Sequence, residues 1–149
     1  MAVSILVRGR ARVDRRAVRR LADAVLRDHA QEASDVSIVF TTDGVIRGLN
    51  REYRNADRPT DVLAFSGDPS AGAADAETVL GDVVISVDRA AVQARRFRRS
   101  FDREILKLTA HGLLHLLGRD HERPGERTVM RRLENRYVRA ISDHGGSGS

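Results

Sequence analysis

Three of the five histidines in this chain fall within one short stretch, His111-Gly112-Leu113-Leu114-His115-Leu116-Leu117-Gly118-Arg119-Asp120-His121. No other feature restricts the fold as much. His111 and His115 are four apart, so a helix stacks both imidazoles on one face. The preceding segment reads as that helix. Ser100 is placed to cap it, Asp102 and Glu104 sit in its first turn, and Ile105, Leu108, Leu113, Leu116 and Leu117 supply apolar surface. A helix so built is central and largely buried. Gly118 takes positive φ and ends it. The chain then turns through Arg119 and Asp120, and His121 swings back toward the first two rings. Three neutral imidazoles with a fourth position open describe a catalytic zinc-type site rather than a closed structural one. The plainer alternative is a cluster of polar residues without chemistry.

The residue after His111 separates two chemistries. In helical zinc peptidases it is a glutamate, the general base. Here it is Gly112. A metal still generates a nucleophile near neutral pH without that base. Hydrolysis therefore stays open, while peptide cleavage by the zincin route is disfavoured.

With 149 residues, 41% of them hydrophobic, the chain is sized for one domain with one core. It has no cysteine, which removes disulfides and thiolate ligands together and leaves histidine and carboxylate as candidate metal ligands. No apolar run approaches the ~20 residues of a membrane helix, and no secretory signal is visible, so a cytoplasmic protein is expected. The net charge of +5 is unevenly spread. Arg89 to Arg139 carries 14 Lys and Arg against 6 Asp and Glu, and the remainder carries 12 against 15. The histidines thus lie in the basic part, which suits a polyanionic partner. An arginine-rich solvated surface explains the charge equally well. Tryptophan is absent and aromatics are 4%, so no extensive base-stacking platform is expected.

Strands are expected at Val3–Val7, Val36–Thr41, Val62–Phe65 and Val79–Val87. Helices are expected from a cap at Asp14 to about Ala30, from Thr42 or Asp43 to about Tyr53, from a cap at Asp88 to about Arg98, from Ser100 to Leu117, and from Glu126 to about Ile141. Pro59 ends the second helical pattern, and Gly67–Glu77 reads as a surface loop. The fold class is α+β: residues 1–142 form a single domain with a small mixed sheet of about four strands packed against about five helices. The first strand–helix–strand unit implies one parallel pairing. Residues 143–149 are expected to be a disordered Gly/Ser tail. No phosphate-binding loop or dinucleotide fingerprint appears.

Three stretches together resemble the YbeY family of single-domain metal-dependent endoribonucleases. They are the His111–His121 motif, Tyr53-Arg54 with Pro59-Thr60-Asp61-Val62-Leu63-Ala64-Phe65, and Gly81-Asp82-Val83-Val84-Ile85-Ser86. Arg119 stands where the family usually has Tyr, and Ala64 where it has Ser. Neither departure touches a ligand. The resemblance implies a cytoplasmic, single-strand-specific RNase with one zinc ion per chain. Its role would lie in 16S ribosomal RNA 3′-end maturation and ribosome quality control, with ribosomal RNA, the small subunit and assembly factors as partners. By the same match His111, His115 and His121 are the ligands, and Arg54 is the catalytic arginine of the cleft. From residue type alone Arg54 reads as a surface ion pair at a helix end.

Arg54 can fork its guanidinium onto phosphate oxygens. Asp82 or Asp120 is a candidate to orient a ligating histidine through its second ring nitrogen. Arg58 and Arg119 are candidates for RNA contact. Two other functions compete with the nuclease: a metallopeptidase, and a non-catalytic ribosome-assembly factor whose metal braces a helix end.

Overall fold

Val36, Ile38 and Phe40 alternate with half-buried residues, which places three apolar side chains on one face of a strand. That strand lies inside the sheet of the computed structural model, which describes residues 2–54, 60–67, 79–119 and 124–147. The elements run β1 (Ala2–Val7), α1 (Arg15–Asp28), β2 (Asp35–Thr41), α2 (Asp43–Arg54), β3 (Val62–Ser66), β4 (Val79–Ser86), α3 (Val87–Arg96), α4 (Phe101–Leu116) and α5 (Glu126–Ser147). The sheet order is β1-β2-β4-β3. β1 pairs with β2 in parallel, β2 with β4 in parallel, and β3 runs antiparallel to β4 at the edge. Among the described residues this is the mixed four-stranded α+β fold with five helices that the periodicities imply. The expected parallel pairing is β1 with β2.

Two apolar layers hold it together. The larger gathers Ile38, Phe40, Val83 and Ile85 of the sheet with Leu21 and Leu26 of α1, Leu113 and Leu114 of α4, and Met130 and Val138 of α5. On the opposite face Ile46 of α2 packs on Leu63 and Val84, which are paired across β3 and β4. Burying each large side chain contributes roughly 1.5–3 kcal/mol, so the larger layer dominates stability. α4 is held at its centre, with Ile105, Leu106, Leu108, Ala110, Leu113 and Leu114 all buried.

The caps follow the expected residues at three helices, and at α2 Thr42 accepts from the Val45 N–H at 3.4 Å. Asp14 accepts from the Ala17 N–H at 3.0 Å, and Ser100 from the Arg103 N–H at 3.1 Å. α3 differs. Its cap is Ser86, which accepts from the Arg89 N–H at 3.0 Å, and the helix starts before Asp88. Asp88 instead accepts from the backbone N–H of Asp43 at 2.8 Å, so it serves the start of α2. The Ser86 hydroxyl donates to the Asp43 carboxylate at 2.5 Å, which ties the two helix starts together. α5 is described as backbone to Ser147, beyond the end expected near Ile141, and only 148–149 of the expected tail lie outside the described residues. Most of the Gly67–Glu77 loop also lies outside them. Among the described residues no helix is long and apolar enough to cross a membrane.

Candidate active site

α4 ends as the glycine requires. The Arg119 N–H donates to the Leu114 carbonyl at 3.0 Å and the Gly118 N–H to that of His115 at 3.1 Å, with Gly118 at φ 92°. This is a Schellman closure, which needs the left-handed conformation that glycine adopts without strain. It directs the chain away from the helix immediately after the second histidine.

The inner face of α4 lies against the sheet at Gly112. A Cβ on Gly112 would stand 2.4 Å from Val83 Cγ1 and 3.1 Å from Val62 Cγ2. The position that carries the peptidase base therefore faces β3 and β4 and has no room for any side chain. A glutamate there would enter the sheet wall and not the site. The loss of that base follows from packing as well as from residue identity.

His111 and His115 lie on the adjoining flank of the helix, their ring centroids 5.8 Å apart and their planes at 87°. Behind His111 stands Glu134 of α5, whose Oε2 is 2.6 Å from His111 Nδ1. An ionised carboxylate only accepts, so the imidazole donates through Nδ1. The bond raises the His111 pKa above its ordinary 6.5, against burial, which lowers it. The charges of Glu134 and Asp61 add to the rise, and Lys107 opposes it. Glu134 is itself buried and sits on a helix fixed by Met130 and Val138.

A cleft of about 470 Å³ opens beside His111, with Asp61, Gln93, Lys107, Arg131 and Glu134 around it. A neighbouring hollow of about 250 Å³ adds Arg127. Gln93 Nε2 donates to Asp61 Oδ2 at 3.3 Å, and the Asp61 carbonyl accepts from the Ser86 N–H at 2.9 Å. Around the two hollows Arg99, Lys107, Arg127 and Arg131 stand against Asp61, Glu104 and Glu134, so cations are in slight excess.

The donors fit a metal that takes imidazole nitrogen. Glu134 engages Nδ1 of His111, so Nε2 is the nitrogen that would hold a metal, the arrangement in which a carboxylate fixes the tautomer of a ligand. His115 stands one turn away on the same face. Among the described residues no three His, Asp or Glu side chains form a metal-holding group. His121, the expected third ligand, lies outside the described residues, as do Asp120 and Arg58.

Asp82 is not brought to the histidines. Gly81 and Val83 face α4, where they meet Leu116 and Gly112, and the pleat puts Asp82 on the opposite face. There it lines a separate groove with Arg8, Thr41 and Tyr53. Arg54 is the last residue of α2. Arg119 pairs with Glu126 at 3.3 Å, at the turn after α4. Sequence reasoning missed Glu134 and Asp61. Asp61 had a signal, because it sits inside the Pro-Thr-Asp segment already singled out. Glu134 had none, since its role depends on how α5 docks against α4.

The family model for endoribonuclease YbeY matches residues 7–142. The endoribonuclease YbeY of Pelotomaculum thermopropionicum is 49% identical over 110 residues, 72% of each chain. That of Chloroflexus aggregans is 41% identical over 145 residues, 93% of this chain and 95% of the relative. The solution structure of TM1509 from Thermotoga maritima superposes with a TM-score of 0.67 at 25% identity, covering 98% of this chain and 93% of that one. The match spans both apolar layers, the helix that bears the histidine pair and the helix that supports it, and the chain belongs to the endoribonuclease YbeY family.

Proposed function

We propose that this chain is a metal-dependent, single-strand-specific endoribonuclease of the cytoplasm. Its substrate is the 3′ region of precursor 16S ribosomal RNA, and it acts on the small ribosomal subunit with assembly factors in ribosome quality control. One observation carries the reading: a pair of imidazoles one helical turn apart, of which His111 is backed by Glu134 and lines a cleft shared with Arg99, Lys107 and Arg131.

In this reading His111, His115 and His121 hold one zinc ion, which when bound supplies Lewis acidity to a phosphate oxygen. Glu134 keeps the His111 ring in one tautomer and one orientation. Arg54 places its planar guanidinium on the phosphate of the scissile bond, where a fork of donors follows the charge as it develops. Lys107, Arg127 and Arg131 draw in the backbone of the RNA, and Arg58 and Arg119 add contacts beside the site.

The test pairs two measurements on the purified chain: metal content by elemental analysis, and cleavage of a precursor 16S 3′ fragment before and after chelation. One zinc per chain and chelation-sensitive cleavage are expected, with casein untouched. His115→Ala should lose both metal and cleavage, and Arg54→Ala should keep the metal and lose cleavage. Stoichiometric metal in His115→Ala would refute the ligand set. Undiminished cleavage by Arg54→Ala would remove that arginine from the reaction.

A further inference from the structure

We propose that Phe97 is a stacking subsite for one base of a single-stranded RNA, on the rim of the cleft that holds His111; this rests on the ribonuclease reading above. Phe97 is 53% exposed, whereas Phe40 is fully buried and Phe65 and Phe101 are half-buried. A single exposed apolar residue is ordinary on a protein surface. This ring differs in where it is placed, how it is held and what surrounds it.

The ring lines the same cleft as His111 and Asp61. It follows the last turn of α3, where the Arg99 N–H donates to the Ala94 carbonyl at 2.8 Å and Arg98 sits at φ 55°. The backbone that carries it is therefore locked by a completed helix closure. The Arg99 guanidinium lies 4.9 Å from the ring centroid. Arg99 is anchored in turn, with Nε 2.9 Å and a terminal nitrogen 3.4 Å from the carboxylate of Glu104, which is only 2% exposed. Arg96 lies 5.5 Å from the same centroid and is exposed. The local sequence Arg95-Arg96-Phe97-Arg98-Arg99 brackets the ring with four cations.

A fixed aromatic face amid cations is what sequence-tolerant binding of a single strand needs. The exposed Arg96 swings from over the ring to admit a base, which stacks there, and the flanking phosphates meet Arg95, Arg96 and Arg98, while Arg99 stays on Glu104. An apolar peptide would find four charges around one ring, so nucleic acid is the better-matched occupant. The subsite accepts any base, because every base offers a π-face. It would hold a nucleotide to one side of the scissile bond and set how the strand enters the cleft.

The chain has no tryptophan, so Phe97→Trp installs a sole reporter. The purified protein is titrated with a short single-stranded 2′-O-methyl RNA, and with the same strand carrying abasic positions. The indole fluorescence of Phe97→Trp should be quenched by the complete strand and far less by the abasic one. In the otherwise native chain, Phe97→Ala should weaken binding of the complete strand by about ten-fold in fluorescence anisotropy, with Phe97→Tyr close to wild type and the abasic strand indifferent to the change. Equal affinity of Phe97→Ala and wild type, or equal losses for complete and abasic strands, overturns the subsite. If wild type cleaves RNA while those variants behave so, the subsite alone falls. If wild type neither binds nor cleaves RNA, the ribonuclease reading falls and takes the subsite with it.

Discussion

At the scale of single residues, two positions decide what the histidine pair can do. Gly112 lets α4 lie directly on Val83 and Val62. Adding one methyl group there means overpacking a wall that has no slack, so Gly112→Ala is expected to cost about 1–3 kcal/mol. A denaturant midpoint measured by circular dichroism checks it, and an unchanged midpoint would mean that the helix stands further from the sheet. Glu134 acts through His111 and is a positioning residue. Glu134→Ala should weaken zinc binding about 10–100-fold against a chromophoric chelator. Glu134→Gln, whose amide oxygen still accepts from Nδ1, should recover part of that loss. An effect on stability alone, with zinc affinity intact in both variants, would contradict the assignment.

At the scale of elements, α1 and α3 both close with a non-glycine residue in the left-handed region. Ala30 has φ 56°, and the Gln31 N–H donates to the Leu26 carbonyl at 2.8 Å. A side chain at that position is strained relative to glycine. Ala30→Gly should therefore stabilise the protein by up to about 1 kcal/mol, or roughly 2–4 °C in a melting curve for a chain of this size. A lowered midpoint would show that the flexibility glycine adds to the unfolded chain outweighs the relief. Most elements were legible because their signals are local. Alternation marked β2, spacing marked α1, and Ser100 marked the start of α4. Ser86 was hidden because it ends a strand and starts a helix at once, so the next acidic residue looked like the cap. Asp82 was misread for a different reason. Which face of β4 it occupies depends on strand register and on where α4 docks, and neither is written in the neighbourhood of Gly81-Asp82. Glu134 was invisible for the same cause, since a helix acid 23 positions from His111 acquires its role only when α5 crosses α4.

At the scale of the whole molecule, α5 is joined to α1 as well as to α4. The Tyr137 hydroxyl donates to Asp28 at 2.8 Å across 109 positions of sequence. Burial first, and that hydrogen bond second, push the Tyr137 pKa from 10.0 up to about 12. The folded value lies above the unfolded one, so this stabilisation is complete below about pH 10 and is lost as the pH rises through about 12. Unfolding free energy measured across that window should fall in wild type, with less decline in Tyr137→Phe, which has no proton to release there. At neutral pH Tyr137→Phe should cost about 1 kcal/mol, the worth of the bond. Equal alkaline slopes for the two chains would mean that Tyr137 is no better protected than a tyrosine in water.

Gly112 also bears on how such a chain can change over time. In the genetic code some glycine codons lie a single base change from a glutamate codon, so the residue that completes a peptidase signature is within easy mutational reach. That mutant would carry the signature of a protease while lacking the space to house its base, and its first consequence would be a damaged protein rather than a new activity. Ancestry is guarded here by volume: the sheet beneath the helix closes one evolutionary route, and the histidines stay available for other work.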